Sequence, residues 1–382
     1  MSRKKRVHRN WIFCLATGAL CIALAMLPTQ VATQDDALTA RVRVTILSAD
    51  NSALMPLGIV YSGVQECLVE IASGEHKGVQ IFAYNHLNSA LDKDKLFEPG
   101  DDALAMLRWE NGQPTSATLI DHYRLNTMAL LFGLFGALLI AFAGVSGCGA
   151  LMSLTLSVVA VWKLLVPLML RGYSPMWCAL LLVTLLTIMI DALVAGLSRT
   201  ALVAALGSLL GTVLTCALSF TFGTLLKLDG GSMPYVVPIL AQTSMQLNLR
   251  EIFFSMVFIA NSGALMDLSM DIASAAEEIE RHKPGISRGV LLRSCFAVGR
   301  NVIGTMTTTL MLAYSGSYLS MLLYFAGQGT PIMDIANLKY VASEALTTLV
   351  GSFGLVTVAP FTAILAVVLP RWTRAADSAQ LE

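Results

Sequence analysis

Charge is what this chain has least of. Only 13% of its 382 residues are Asp, Glu, Lys or Arg, about half the share of an ordinary soluble domain. Against that deficit, 55% of the residues are hydrophobic and the mean hydropathy is +0.69. Too few charges remain to coat a water-soluble surface of this size. Cysteine is scarce where it would matter. Of the seven, at 14, 21, 67, 148, 178, 216 and 295, only Cys67 lies in the polar stretch 35–121, so that stretch cannot close an internal disulfide. No CxxC and no His/Cys spacing for zinc occurs, and the five histidines are scattered, so no metal site is expected. The chain also lacks a nucleophile elbow, a P-loop, an HExxH and a Rossmann glycine pattern. No cofactor is expected, and enzymatic activity is not expected either.

What is present instead is a series of apolar runs. "MSRKKRVHRN" followed by "WIFCLATGALCIALAMLP" has the layout of an export signal. Its apolar core, 11–27, is longer than the roughly 7–15 residues of a cleavable signal. Residues 1–34 therefore read as a basic cytoplasmic tail and a retained signal anchor, with a cleaved signal as the alternative. Residues 35–122 read as a small β domain. "RVRVTIL" alternates, with Val42, Val44 and Ile46 on one face, and "ECLVEIA", "GVQIFAY", "ALAMLRW" and "SATLI" follow as short strands between turn signals. Five short strands suit a compact OB-like barrel. OB-type barrels often bind nucleic acid, but this stretch holds six Lys/Arg against thirteen Asp/Glu, which argues against a phosphate-binding surface.

Seven further apolar runs, near 125–144, 150–170, 176–197, 201–226, 251–266, 302–326 and 346–369, make a transmembrane domain over 123–370, with a tail at 371–382. With the anchor, about eight transmembrane helices are expected in an α-helical polytopic membrane protein. Eight spans put Arg199, the basic 281–293 loop and "RWTRAAD" on the side of the N-terminus. Positive loops face the cytoplasm, so both termini are expected in the cytoplasm and the β domain outside a bacterial cytoplasmic membrane. Arg171 alone dissents.

Inside the runs ionisable groups are few: Lys163, Asp191, Asp267, Asp271, Arg300 and Glu344. An intramembrane charge costs at least about 2.5–3.5 kcal/mol at the bilayer centre, so each is a candidate for function. Asp191 falls in the same half of the membrane as Asp267, Asp271 and Arg300. Asp267 and Asp271, four apart, share a helical face. Two nearby carboxylates need a cation, a proton or an arginine, and Arg300 is the expected counter-charge. In "GRNVIGTMTTTLMLAYSGSY" (299–318) hydroxyls and glycines line a stripe that includes Gly304, Thr305 and Thr308. Such a stripe serves either close helix packing or a substrate-facing wall. Gly207 and Gly211 form a GxxxG, and Gly351 and Gly354 precede Pro360 in the last run. These four, with Gly304, are the expected helix-packing glycines.

"GALMDLSMDIASAAEEI" (263–279), "GRNVIGTMTTTLMLAYSG" (299–316) and "GSFGLVTVAPFTAILA" (351–366) together resemble the YibE/F family of bacterial multi-pass membrane proteins. Asp267 matches the family's acidic position, whereas Asp271 stands where a small polar residue is usual. Asn301 replaces an aspartate and Thr308 an asparagine. The resemblance implies a permease-like membrane protein. Two functions are carried forward. One is a permease or exporter of a small solute or ion, its path lined by Asp191, Asp267, Asp271, Arg300, Asn301, Thr305 and Thr308, with Asp267 and Asp271 holding a coupling proton or cation. The other is a non-transporting scaffold whose acidic β domain binds an extracytoplasmic protein partner. The lipid bilayer is a partner in both; nucleic acid is in neither.

Overall fold

The computed structural model describes residues 16–27, 40–110, 113–242 and 247–369. The chain divides into two compact units, Thr29–Leu138 and Met1–Pro28 with Leu139–Glu382.

The first unit is built on six strands: β1 (Arg41–Asp50), β2 (Leu54–Leu57), β3 (Val60–Ile71), β4 (Gln80–Asn88), β5 (Asp102–Glu110) and β6 (Gln113–His122). Strand order β1-β5-β6-β4-β3 closes through a β1–β3 pairing, leaving β2 as a short edge on β3. The result is the expected five-stranded barrel. All pairs are antiparallel except β4 with β6. Alternation produces the core: Ile81, Ala83, Asn85 and Leu87 of β4 point inward while their neighbours face out. Small inward residues (Ala83, Ala103, Ala105, Ala117) leave room for Phe97, which is 1% exposed. Phe97 comes from the β4–β5 loop, and two buried amides hold it there. Gln65 Nε2 donates to Phe97 O (2.9 Å), Gln65 Oε1 accepts from Phe97 N (3.1 Å), and Asn85 Nδ2 donates to Gln65 Oε1 (3.0 Å). Gln65→Ala would orphan several buried polar groups at about 1–3 kcal/mol each. The expected loss is roughly 2–4 kcal/mol, read as lost hydrogen-exchange protection across 95–98 and β3.

On the barrel surface Arg43 Nη2 donates to Asp102 Oδ2 at 2.6 Å, with Thr45 Oγ1 donating to Oδ1 at 3.0 Å. The Arg43 hydrogen bond, seconded by that of Thr45, holds the Asp102 carboxyl below the ordinary carboxylate range. A depressed carboxylate contributes stability above its unfolded pKa and loses it as pH falls through the folded one. Amide protection at the β1–β5 pairing is therefore expected to weaken as pH falls below the ordinary aspartate range of about 4. Asp102→Asn should flatten that dependence.

The second unit is helical. Its elements are α1 (Ala16–Ala25), α3 (Ser146–Leu170), α4 (Pro175–Ala195), α5 (Arg199–Leu225), α6 (Val236–Gln242), α7 (Leu249–His282), α8 (Arg288–Ser317), α9 (Leu319–Gly327), α10 (Ile332–Asn337) and α11 (Lys339–Val368); α2 (Leu125–Ala143) begins in the barrel unit. Among the described residues six helices are long and apolar enough to cross a membrane, or seven if α8 and α9 count as one bent span. The expected span over 302–326 is thus broken. α8 and α9 meet at 62°, where "SGSY" offers weak helix formers. The anchor expected at 11–27 lies partly outside the described residues; the part described, α1, is ten residues long. Lys163, on a π-helical turn of α3, donates to Leu27 O at 3.0 Å, where a cation complements a helix C-terminus.

Helices α5, α7 and α11 form the centre of this unit, with α4 and α8 packed against it. Glycine sets their spacing. A Cβ at Gly207 would overlap Thr362, at Gly351 Asn261, and at Gly354 Thr215, while at Gly211 it would press on Val358 at 3.1 Å. Gly304 meets nothing within 4 Å, so the structure gives it no close-packing role. The buried hydroxyls of α5 (Ser208, Thr212, Thr215, Ser219) donate to carbonyls of their own helix, which satisfies them without a partner helix.

Candidate functional site: an acidic cavity in the helical unit

Where α7, α8, α9 and α11 diverge, they leave an open-sided cavity of about 360 Å³, lined on one side by the 232–234 loop. Each wall follows from helical spacing. Tyr340, Ser343, Glu344 and Thr347 recur at i, i+3, i+4 and i+7 on α11, one face of its first turns. Tyr314 stands near the end of α8, and Tyr318 at the α8–α9 bend. The loop is held by Ser232 Oγ to Ser343 Oγ at 2.7 Å, and by Lys339 Nζ donating to both oxygens of Asp229 at 2.9 and 2.8 Å. That ammonium, with the Gly231 N–H, keeps the Asp229 carboxyl below its usual range.

The polar groups facing this cavity are not alike. Ser343 and Thr347 donate to carbonyls one turn back. Tyr314 Oη donates to Asn261 Oδ1 at 3.0 Å, and Asn261 Nδ2 donates to Val257 O and Thr347 O. Glu344, half-buried, has no hydrogen bond or ion pair among the described residues. Its charge is felt by Tyr314. A carboxylate in an apolar bundle with no protein partner is open to a cation or a proton. Three tyrosines around it add ring faces that attract cations.

The residues that the sequence singled out lie elsewhere. Asp191 is 2% exposed on α4; its Oδ2, and Thr187 Oγ1 one turn earlier, have no hydrogen-bond partner among the described residues. Asp267 of α7 lies within electrostatic reach of Asp191, and Asp271 within reach of Asp267, yet both are exposed. Arg300 is not their counter-charge. It is exposed, its Nε donates to Phe296 O at 3.4 Å, and no ion pair joins it to either aspartate among the described residues. The reason is azimuth: Gly299 faces α7 and α11, where a Cβ would sit 3.1 Å from Ala359 and 3.4 Å from Ile272, which turns Arg300 about 100° away. Asn301, Gly304, Thr305 and Thr308 share that exposed face, and the two threonine hydroxyls donate to Val302 O and Gly304 O of their own helix. The stripe does not line the cavity.

The model of a family described as YibE/F-like protein matches residues 131–371. The chain belongs to the YibE/F-like family. The matched range holds α3 to α11, both acidic centres and most of α2, whereas the barrel lies outside it. Neither a curated protein nor a solved structure matches the chain. Sequence reasoning marked Glu344 as an intramembrane acid but left it out of the path. The residues lining the cavity with it come from separate elements, and no spacing rule links Tyr314, Tyr318 and Tyr340.

Proposed function

We propose that this YibE/F-like membrane protein is a permease-like transporter of a small solute or ion, taking a cationic species at the Glu344 cavity. One observation carries the reading: a half-buried carboxylate, without a hydrogen-bond or ion-pair partner among the described residues, faces a solvent-sized cavity inside a helical bundle. Evolution tolerates such a group in a membrane where it serves a substrate, an ion or a proton. Two turns further along α7 from the cavity, Asp267 lies within electrostatic reach of Asp191 of α4, and the two form a second acidic centre suited to a coupling proton or cation. On loop charge the protein belongs to a bacterial cytoplasmic membrane with both termini inside and the barrel outside.

The test is flux into proteoliposomes holding the full chain. Rubidium and methylammonium serve as cationic probes under an imposed membrane potential. Uptake above empty vesicles is expected for the native chain. Glu344→Gln removes a charge-assisted contact worth about 1.5–3 kcal/mol, so uptake should fall at least about tenfold. Equal uptake by the variant and the native chain would overturn the assignment of the cavity.

A further inference from the structure

Three of the four most exposed large apolar side chains of the barrel gather on one small hairpin. Met55 and Leu57 of β2 and Ile59 of the turn are 71%, 57% and 81% exposed. Gly58, at φ 67°, opens a two-residue turn between the paired residues Leu57 and Val60. No charged residue occurs between Asp50 and Glu66, in a domain otherwise rich in acid. This edge strand is kept short and carries Pro56, both guards against strand pairing, yet its exposed side chains are apolar and uncharged.

Register shows where the hairpin points. β4 and β6 run parallel with Tyr84 level with Thr118; continued four residues, that register brings Asn88 to about the level of His122, the last residue of β6. Asn88 in turn pairs with Ser62 of β3. The hairpin tip at 58–59 therefore projects three to four residues past the level at which the chain leaves the barrel, about 10–13 Å. The apolar helix α2 begins at Leu125, three residues after His122, and three extended residues reach about 10 Å. Overhang and linker have the same reach. Leu91, 69% exposed in the β4–β5 loop, emerges from the same barrel end.

We infer that the 54–61 hairpin is a membrane-interface anchor, laying Met55, Leu57 and Ile59 into the headgroup region of the bilayer that α2 enters. The occupant is lipid rather than protein, because the tip comes to the depth at which the chain itself enters the membrane. The anchor is uncharged, so zwitterionic lipid suffices, and burial of about 5–10 Å is the scale of interfacial elements.

The test places a nitroxide at residue 59 by Ile59→Cys in the full chain, with native cysteines replaced, in phosphatidylcholine nanodiscs. Lys77→Cys, at the opposite end of the barrel, is the aqueous control. Collision with oxygen over a water-soluble nickel chelate is expected to be several-fold more favoured at 59 than at 77. Equal ratios at both positions would overturn the anchor. Exclusion of both reagents from residue 59 would also overturn it, in favour of a protein partner on the hairpin. Ile59 is exposed, so the label does not challenge folding, and circular dichroism of both variants checks this.

Discussion

Arg199→Ala is expected to be the most destabilising single substitution in the helical unit, at about 3–5 kcal/mol. Arg199 opens α5, and its guanidinium does three jobs. Nη1 donates to Glu280 Oε2 of α7 at 2.7 Å, while Nη2 donates to Ala366 O and to Leu369 O, the last at 3.1 Å. The last two are carbonyls at the end of α11 that have no helical partner of their own. The pair is mostly buried, with 16% and 15% side-chain exposure. Removing the arginine therefore takes one donor from the mostly buried Glu280 carboxylate and from the Ala366 and Leu369 carbonyls. Thr200, bonded to Glu277, strengthens the same junction. Arg199→Lys should recover part of the loss, because an ammonium keeps the charge but not the planar fork. Thermal unfolding in detergent reads the effect, with a drop on the order of 10 °C expected for a unit of this size. A shift within about 2 °C, the scale of a single surface ion pair, would show that the junction is not a clasp.

The barrel was legible because alternation is a local signal. "RVRVTIL" and "ALAMLRW" each declare an inward face, and both became strands with that face buried. β2 was not legible: "LMPL" is four residues long, contains Pro56, and faces solvent, so no period marks it. Phe97 fills the barrel from "LFEPGDD", a stretch that reads as a turn, because burial from a loop leaves no periodic trace. In the helical unit, apolar length revealed the spans but not their ends. α7 runs unbroken for 34 residues, since "ASAAEEIERH" loses hydropathy while keeping helix propensity. Acids stood out because they are rare in such runs. Their partners did not, because which residues meet depends on the rotation of each helix about its axis, and that is fixed by glycine contacts between helices far apart in sequence. Gly299 against Ala359 is one such contact. It sends Arg300 away from the aspartates that loop charge alone would assign to it.

Asp191→Leu is expected to separate function from stability. Asp191 is buried with an oxygen that nothing in the described chain satisfies, and Asp267 nearby adds repulsion rather than relief. A structural carboxylate in that setting is a liability. Replacing a buried charged group by an apolar side chain of similar size is often neutral or stabilising by about 1–4 kcal/mol. The variant is therefore expected to unfold at the native temperature or above it. If Asp191 holds the coupling proton or cation, the same variant loses accumulation of the probe against its gradient. Binding at the Glu344 cavity, measured as probe-dependent change in tyrosine fluorescence, should persist, since Asp191 lies on α4 and lines no part of that cavity. Glu344→Gln is expected to show the converse, with binding itself lost. A destabilisation of Asp191→Leu beyond about 1 kcal/mol would mark the residue as structural. Retained accumulation would remove it from the mechanism and leave the cavity as the sole acidic centre. The two acids are worth testing as a pair because the fold keeps both at a cost and α7 reaches both: its Phe253, Met256, Val257 and Ala260 line the cavity, and Asp267, two turns further on, lies within electrostatic reach of Asp191.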